Sequence, residues 1–272
     1  MALTYTPLTP ALEPLFEEGA HVYRYKGWKP PGVSSLLEAV GIKDPFDRTF
    51  WRASLLKKGM TEEEAEAFMD EQSERGIERG KNIHSWIEGH CTGEHVPLEE
   101  LCPEWMALDD FAGYKDGFLQ FVEEFEVSKV YLIERPLVNT VGLYCGTVDC
   151  MAETKFGTAV IDWKTSTAVK KFKRKPWMKY QLAAYSGAIN RSFEIEPVKH
   201  GINVCLAPDG LRIFHYEEAE MLETWTNLKG LLRDYWFERC QLAQLDDDPG
   251  MACEALEAIE EAWGPFEPCQ PS

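Results

Sequence analysis

The chain has 272 residues, 44% of them hydrophobic and 27% charged, with 46 acids against 28 bases for a net charge of −18. That is the composition of a globular chain long enough to bury a core without staples, as one large domain or two small ones. It excludes whole-chain disorder and a membrane-spanning helix, since no apolar run approaches about 18 residues. It also argues against a general nucleic-acid coat, because phosphate repels so acidic a surface.

The charge is segregated. Residues 241–272 hold eight acids and no base, and without them the balance moves from −18 to −10. Between Trp163 and Phe193 there is no acid, yet Lys164, Lys170, Lys171, Lys173, Arg174, Lys175, Lys179 and Arg191 all fall there. A short basic segment inside an acidic chain is the pattern of a local anion site. The eight cysteines include no C-x-x-C pair, and their nearest spacing is five, so they read as mostly buried thiols of a reducing compartment. No base precedes Arg24 and no apolar stretch follows the start, which is not the pattern of a secretory signal. Cytoplasm is the default.

In chain order, HVYRYKG at 21–27 reads as extended and Pro30-Pro31-Gly32 as a turn. A short helix follows from Ser34, with Ser34 as its N-cap, and a second runs from Asp44 to Lys58. Thr61 opens a long helix reaching His90, its Thr-x-x-Glu start forming a capping box with acids in the first turns. A fourth helix spans Pro103–Glu126. The period then shortens: 129–138, 142–153 and 159–165 are β-branched and aromatic runs, read as strands. A helix at 177–190, strands at 199–206 and 211–215 around Pro208-Asp209-Gly210, and a helix at 219–240 complete the compact part. An acidic appendage with one short helix follows Asp246.

Asp162 and Lys164 are two apart on a strand, so both leave the same face while Trp163 points to the other. Asp149 lies on the preceding strand, where a hairpin brings it beside Asp162. Converging carboxylates repel unless a proton or cation lies between them, and a hard divalent ion with oxygen ligands resolves the repulsion. The bland alternative is a sheet-surface ion pair with Asp149 as a turn acid. On the long helix, His84 and Glu88 share a face with Gly76 and Gly80. Glycine inside a helix costs about 1 kcal/mol, and close approach of another backbone is one reason to keep it. Arg75, Arg79 and Lys81 suit phosphate contacts or pairing with acids upstream on their own helix. Gln181 and Tyr185 are i,i+4, a site wall or simply a polar helix edge. Phe46, Phe50 and Trp51 suit base stacking, though core packing is the commoner use.

These runs resemble the PD-(D/E)XK nuclease superfamily, in particular its RecB-like branch, which includes exonucleases of phages and of mitochondrial genome maintenance. The resemblance is carried by Gly146-Thr147-Val148-Asp149, by Val160-Ile161-Asp162-Trp163-Lys164-Thr165-Ser166 and by Tyr180-Gln181-Leu182-Ala183-Ala184-Tyr185. It also rests on Arg79-Gly80-Lys81-Asn82-Ile83-His84, on Glu134 in the strand before Asp149, and on an entry segment at 21–42. Together they span roughly residues 21 to 240 in the order of the family's αβββαβ core.

The resemblance implies an α/β fold of mixed α+β character: a restriction-endonuclease-like central mixed sheet flanked by helices, with an N-terminal helical region. It divides one compact domain into 1–127, which contributes the His84 helix, a nuclease core at 128–240 and the appendage at 241–272. It implies a magnesium-dependent DNA exonuclease, with manganese able to substitute, of phage recombination or DNA processing. His84, Asp149, Asp162 and the Trp163 carbonyl would hold the ion, and Lys164 would act at the attacking water. Gln181 would be catalytic, while Arg75, Arg79, Lys171, Lys173, Arg174 and Tyr185 would contact DNA. No Fe–S cluster is expected, because the C-terminal cysteine set of the cluster-bearing relatives is missing. The partner is DNA with a free end. A single-strand annealing protein and a homo-oligomer remain open, no membrane is expected, and a cytoplasmic setting, host cytoplasm for a phage protein, follows. The alternatives are an endonuclease or repair nuclease of the same fold, or an inactive DNA- or partner-binding member.

Overall fold

A computed structural model of the chain describes residues 3–11, 13–17, 22–45, 47–245 and 250–264. Its frame is a six-stranded sheet in the order β1-β4-β5-β6-β7-β8, formed by Thr4–Tyr5, Lys129–Asn139, Tyr144–Thr154, Gly157–Thr165, His200–Ala207 and Gly210–Tyr216. β1 runs parallel to β4 and β6 parallel to β7, while the other neighbours are antiparallel. The two strands left over, β2 (Leu15–Glu17) and β3 (Val22–Arg24), form a separate antiparallel hairpin.

Strand alternation sorts the core into two layers. Ala159, Ile161 and Trp163 of β6 face Ile83 and Ile87 of α3 (Glu62–Thr92) and four aromatic rings of α5 (Leu108–Glu124). Val160 faces the other way, onto α1 (Val33–Ala39), α6 (Pro176–Ser192) and α7 (Glu218–Leu245). The result is a mixed α/β fold: a mixed sheet with helices on both sides and an N-terminal helical region. α2 (Thr49–Lys57) packs with the first half of α3 around Leu55, Ala65 and Met69, a small core of its own.

The capping box at Thr61 forms as read, with Glu64 N–H donating to the Thr61 hydroxyl and Thr61 N–H to the Glu64 carboxylate. The first helix starts at Val33 on a Gly32 N-cap rather than at Ser34. The short α4 (Leu98–Leu101) and the strands β1 and β2 have too few residues to show a period. Cys240 and Cys253 are disulfide-bonded, joining α7 to α8 (Gly250–Trp263). This corrects the reading of those two as thiols: α8 folds back along α7 and brings them together, whereas Cys91, Cys102, Cys145, Cys150 and Cys205 are free. Phe46, Cys269 and the acids 246–248 and 267 lie outside the described residues. Among the described residues no helix is long and apolar enough to cross a membrane.

Gly113 is where α5 meets the β7–β8 turn, and a Cβ there would sit 2.3 Å from the Pro208 carbonyl oxygen. Gly113→Ala must therefore push the helix off the sheet. A loss of about 1–3 kcal/mol in denaturant unfolding is expected, the range of an overpacked core. An unchanged midpoint would show that the approach is not made.

Candidate metal centre

β5 and β6 pair from Thr154↔Gly157 up to Cys150↔Ile161, and there the ladder stops. β6 stays in register with β7 as far as Thr165↔Leu206, so beyond Ile161 its β5 side is open. Asp149 fills the gap, its carboxylate accepting the Trp163 backbone N–H at 2.8 Å. In a strand the N–H and C=O of one residue face the same neighbour, so the Trp163 carbonyl is turned toward Asp149 as well.

Across β4, Glu134 stands opposite this opening with φ of +43°, in the left-handed region that a side chain seldom adopts. A cost of about 1–3 kcal/mol is typical of such a residue. Glu134 Oε1 lies 2.8 Å from His84 Nδ1 on α3. Ligand atoms of His84, Glu134 and Asp149 all fall within 4.8 Å of one another. Two carboxylates and an imidazole form a donor set that could hold a divalent metal ion. The cluster opens into a cleft of about 530 Å³ that Phe16, Lys81, Ser85, Glu88 and Thr147 also line.

The charges here act directly on one another. Burial, and after it the charge of Asp162, pushes the Asp149 carboxyl up to about 7. Burial opposes a charge on His84, but Asp149 and Glu134 outweigh it and hold the imidazole at about 9. Burial likewise opposes charge on Lys164, and Asp162 and Asp149 outweigh it, so the ammonium is retained.

Asp162 is fully buried and lies outside the three-residue group, with both oxygens engaged. Oδ1 accepts from Lys164 Nζ at 2.6 Å and Oδ2 from Asn203 Nδ2 at 2.8 Å. Asn203, opposite Asp162 in the parallel β6–β7 register, is equally buried. Spacing along the chain gave no sign of it. Asn203→Leu should cost about 1–3 kcal/mol, the penalty for a buried carboxylate oxygen without its donor. Urea unfolding at neutral pH checks this, and a neutral result would mean that the oxygen finds another donor.

Gln181 and Tyr185 of α6 are buried beside the site and bonded to each other, the Gln181 amide 3.2 Å from the Tyr185 hydroxyl. Burial, with Asp149 and Asp162 next, raises the tyrosine pKa well above its ordinary value. The basic residues separate into two groups. Arg75 is paired with Glu71 and lies over the Trp105 ring, and Arg174 is forked onto Glu220 and stacked on Tyr216. Lys171 donates to the Thr167 hydroxyl, and Lys173 is exposed. Arg79 reaches Thr165, next to Lys164, at 3.4 Å, and neither Arg79 nor Lys81 has an acid partner among the described residues. At Gly80 an added Cβ would meet Thr165 only at an ordinary 3.7 Å, so close approach does not require that glycine. The tight contact on α3 is at Gly89, 2.4 Å from the Glu94 carbonyl oxygen.

No family model matches the chain. It is similar to mitochondrial genome maintenance exonuclease 1 of Homo sapiens, 30% identical over 161 residues, which is 57% of this chain and 44% of that protein. The Xenopus tropicalis protein of the same name is 33% identical over 151 residues, 51% of this chain and 42% of its own. The Mus musculus protein is 32% identical over 122 residues, 43% and 36% respectively. The chain thus spans less than half the length of these relatives. Among solved structures, that of SSO0001 is similar at 20% identity and a TM-score of 0.24, over 41% of this chain and 53% of that one. Across about half its length, then, the chain is a distant homologue of mitochondrial genome maintenance exonuclease 1.

Proposed function

We propose that the chain is a metal-dependent DNA exonuclease that hydrolyses phosphodiester bonds from DNA ends. The observation that carries this reading is the convergence of His84, Glu134 and Asp149 within 4.8 Å, beside the Lys164–Asp162 pair. Asp149, Glu134 and His84, with Asp162 and the Trp163 carbonyl on the same side, would hold a magnesium ion, with manganese able to substitute. Once bound, that ion supplies an acidified water and neutralises charge on the phosphate. Lys164, kept protonated by Asp162 and Asp149, donates hydrogen bonds to the attacking oxygen or to a phosphate oxygen and does not itself take a proton. Gln181 and Tyr185 keep the wall beside it in place.

The same reading makes residues 128–240 a restriction-endonuclease-like core. Residues 1–127 supply His84 and 241–272 form an acidic appendage. The setting it implies is phage recombination or DNA processing in a cytoplasm, where a single-strand annealing protein would be a fitting partner. The deciding assay uses end-labelled linear DNA and closed circular DNA with magnesium and then with chelator. Loss of nucleotides from linear DNA alone, stopped by chelator, is the expected result. Cleavage of circular DNA would turn the reading to an endonuclease, and no cleavage of either would overturn it.

For the DNA path, Arg79 next to Lys164 and Lys81 in the His84 cleft, neither with an acid partner among the described residues, are favoured over Arg75 and Arg174, which pair with Glu71 and Glu220. Neutralising Arg79 and Lys81 together should weaken DNA binding and reduce the log–log salt slope by about 0.7–0.9 per lost phosphate contact. The Lys171, Lys173 and Arg174 triple variant is the comparison. A larger slope change there would move the path to the 170–175 segment.

A further inference from the structure

On the side of α6 away from Gln181 and Tyr185, a second cavity of about 430 Å³ opens between α6, α7 and α8. Its size is that of a small-molecule pocket, where ligand sites span about 300–1,000 Å³. The walls are built. Trp225 and Trp263 meet edge to face at 5.8 Å. Trp225 also lies so close to α6 that a Cβ on Gly187 would be 2.4 Å from its ring. α8 is tied down at both ends, by the Cys240–Cys253 disulfide and by Arg233, which donates to the Trp263 and Gly264 carbonyls.

The polar groups on the α6 wall are donors without acceptors. Ser186 is more than nine-tenths buried, and its hydroxyl has no partner. Asn190 uses its carbonyl oxygen to accept the Val198 N–H, leaving its amide hydrogens unclaimed among the described residues. Arg191, one residue on, has no acid partner among the described residues, although this chain carries 46 acids. At the rim Lys199 is already paired with Glu218. A buried orphan hydroxyl costs stability unless something satisfies it. Two indoles supply flat apolar walls, and three donors lining one cavity, the buried Ser186 hydroxyl and the more exposed Asn190 and Arg191, suit an oxyanion.

We propose that this cavity binds a small aromatic anion, a flat ring bearing a carboxylate or phosphate, with the ring against Trp225 and Trp263 and the oxyanion on Ser186, Asn190 and Arg191. The pocket shares no residue with the metal centre, so the inference does not depend on the nuclease reading. The full chain is titrated with 2-naphthoate and, separately, with the neutral 2-naphthamide, following tryptophan fluorescence. Saturable binding of the carboxylate is expected, weakened about tenfold or more in Arg191→Gln, the order of one charge-assisted hydrogen bond. Ser186→Leu, which fills the cavity, should remove it while leaving the melting temperature near that of the parent. A competing amide that bound as tightly as the acid would overturn the anion assignment. No saturable binding of either probe, or full retention in both variants, would overturn the site.

Discussion

Asp149→Asn will sharply reduce cleavage and, in the presence of chelator, raise the melting temperature. The two effects have one origin. An aspartate ionises near 3.8, but burial first and the charge of Asp162 second push this carboxyl up to about 7. Between those pH values the unfolded chain is ionised while the folded chain must hold a proton or bear a buried charge. Asp149 therefore withdraws stability as pH rises from about 3.8 through about 7. Asparagine keeps an oxygen for the Trp163 N–H and carries no charge, so it escapes that loss. One pKa unit is about 1.4 kcal/mol, and after discounting for relaxation a gain of about 1–3 kcal/mol at pH 8 is expected. For a chain of this size that is about 2–5 °C in Tm, vanishing near pH 3.5. Activity should fall by about a thousandfold, the order seen when one group stabilising transition-state charge is removed. Manganese should raise the Tm of the parent and leave the variant unmoved. A variant less stable than the parent in chelator would show that the carboxylate is not under repulsion.

Manganese binding will tighten with pH, by about tenfold per unit for each proton displaced. His84 sits opposite Glu134 and near Asp149, which together lift its pKa from 6.5 to about 9 against the effect of burial. In chelator, the stability this ion pair contributes is fully present below pH 6.5 and is lost as pH rises through about 9. An ion that takes His84 as ligand must expel that proton, so release of about one proton per ion is expected at pH 8. Below about 7 Asp149 adds a second. Calorimetric titration in two buffers of different ionisation enthalpy counts the protons, and His84→Ala should flatten the slope. An affinity independent of pH between 7 and 9 would remove His84 from the ligand set.

What could be read from the chain, and what could not, divides by distance in sequence. The pairs set by local period, Asp162 with Lys164 and His84 with Glu88, come from a two-residue strand repeat and a four-residue helical repeat. Asp149 beside β6 follows from one hairpin turn. Glu134 drew attention only through resemblance, because a left-handed residue in mid-strand leaves no trace in composition. Asn203 was out of reach for a different reason. Its place beside Asp162 depends on a parallel register fixed after the whole α6 crossover, 41 residues later. Arg174 shows the same limit in reverse, since the basic run looked unopposed until α7 brought Glu220 to it from 46 residues away. The Cys240–Cys253 link, too, depends on a reversal between α7 and α8 that no spacing announces.

The parting of β5 and β6 gives the molecule a built-in indicator. The Ile161 main chain is held in the ladder on its β5 side and that of Lys164 on its β7 side, whereas the amide of Trp163 is held by a side-chain carboxylate. Its exchange with solvent deuterium and its nitrogen resonance therefore follow what happens to Asp149 (proton, ion or neither) and not the opening of the whole sheet. Spectroscopically, one backbone signal deep in a rigid sheet should shift with occupancy while its neighbours at Ile161 and Lys164 hold still. The centre can thus be read from the main chain, without any label placed in it.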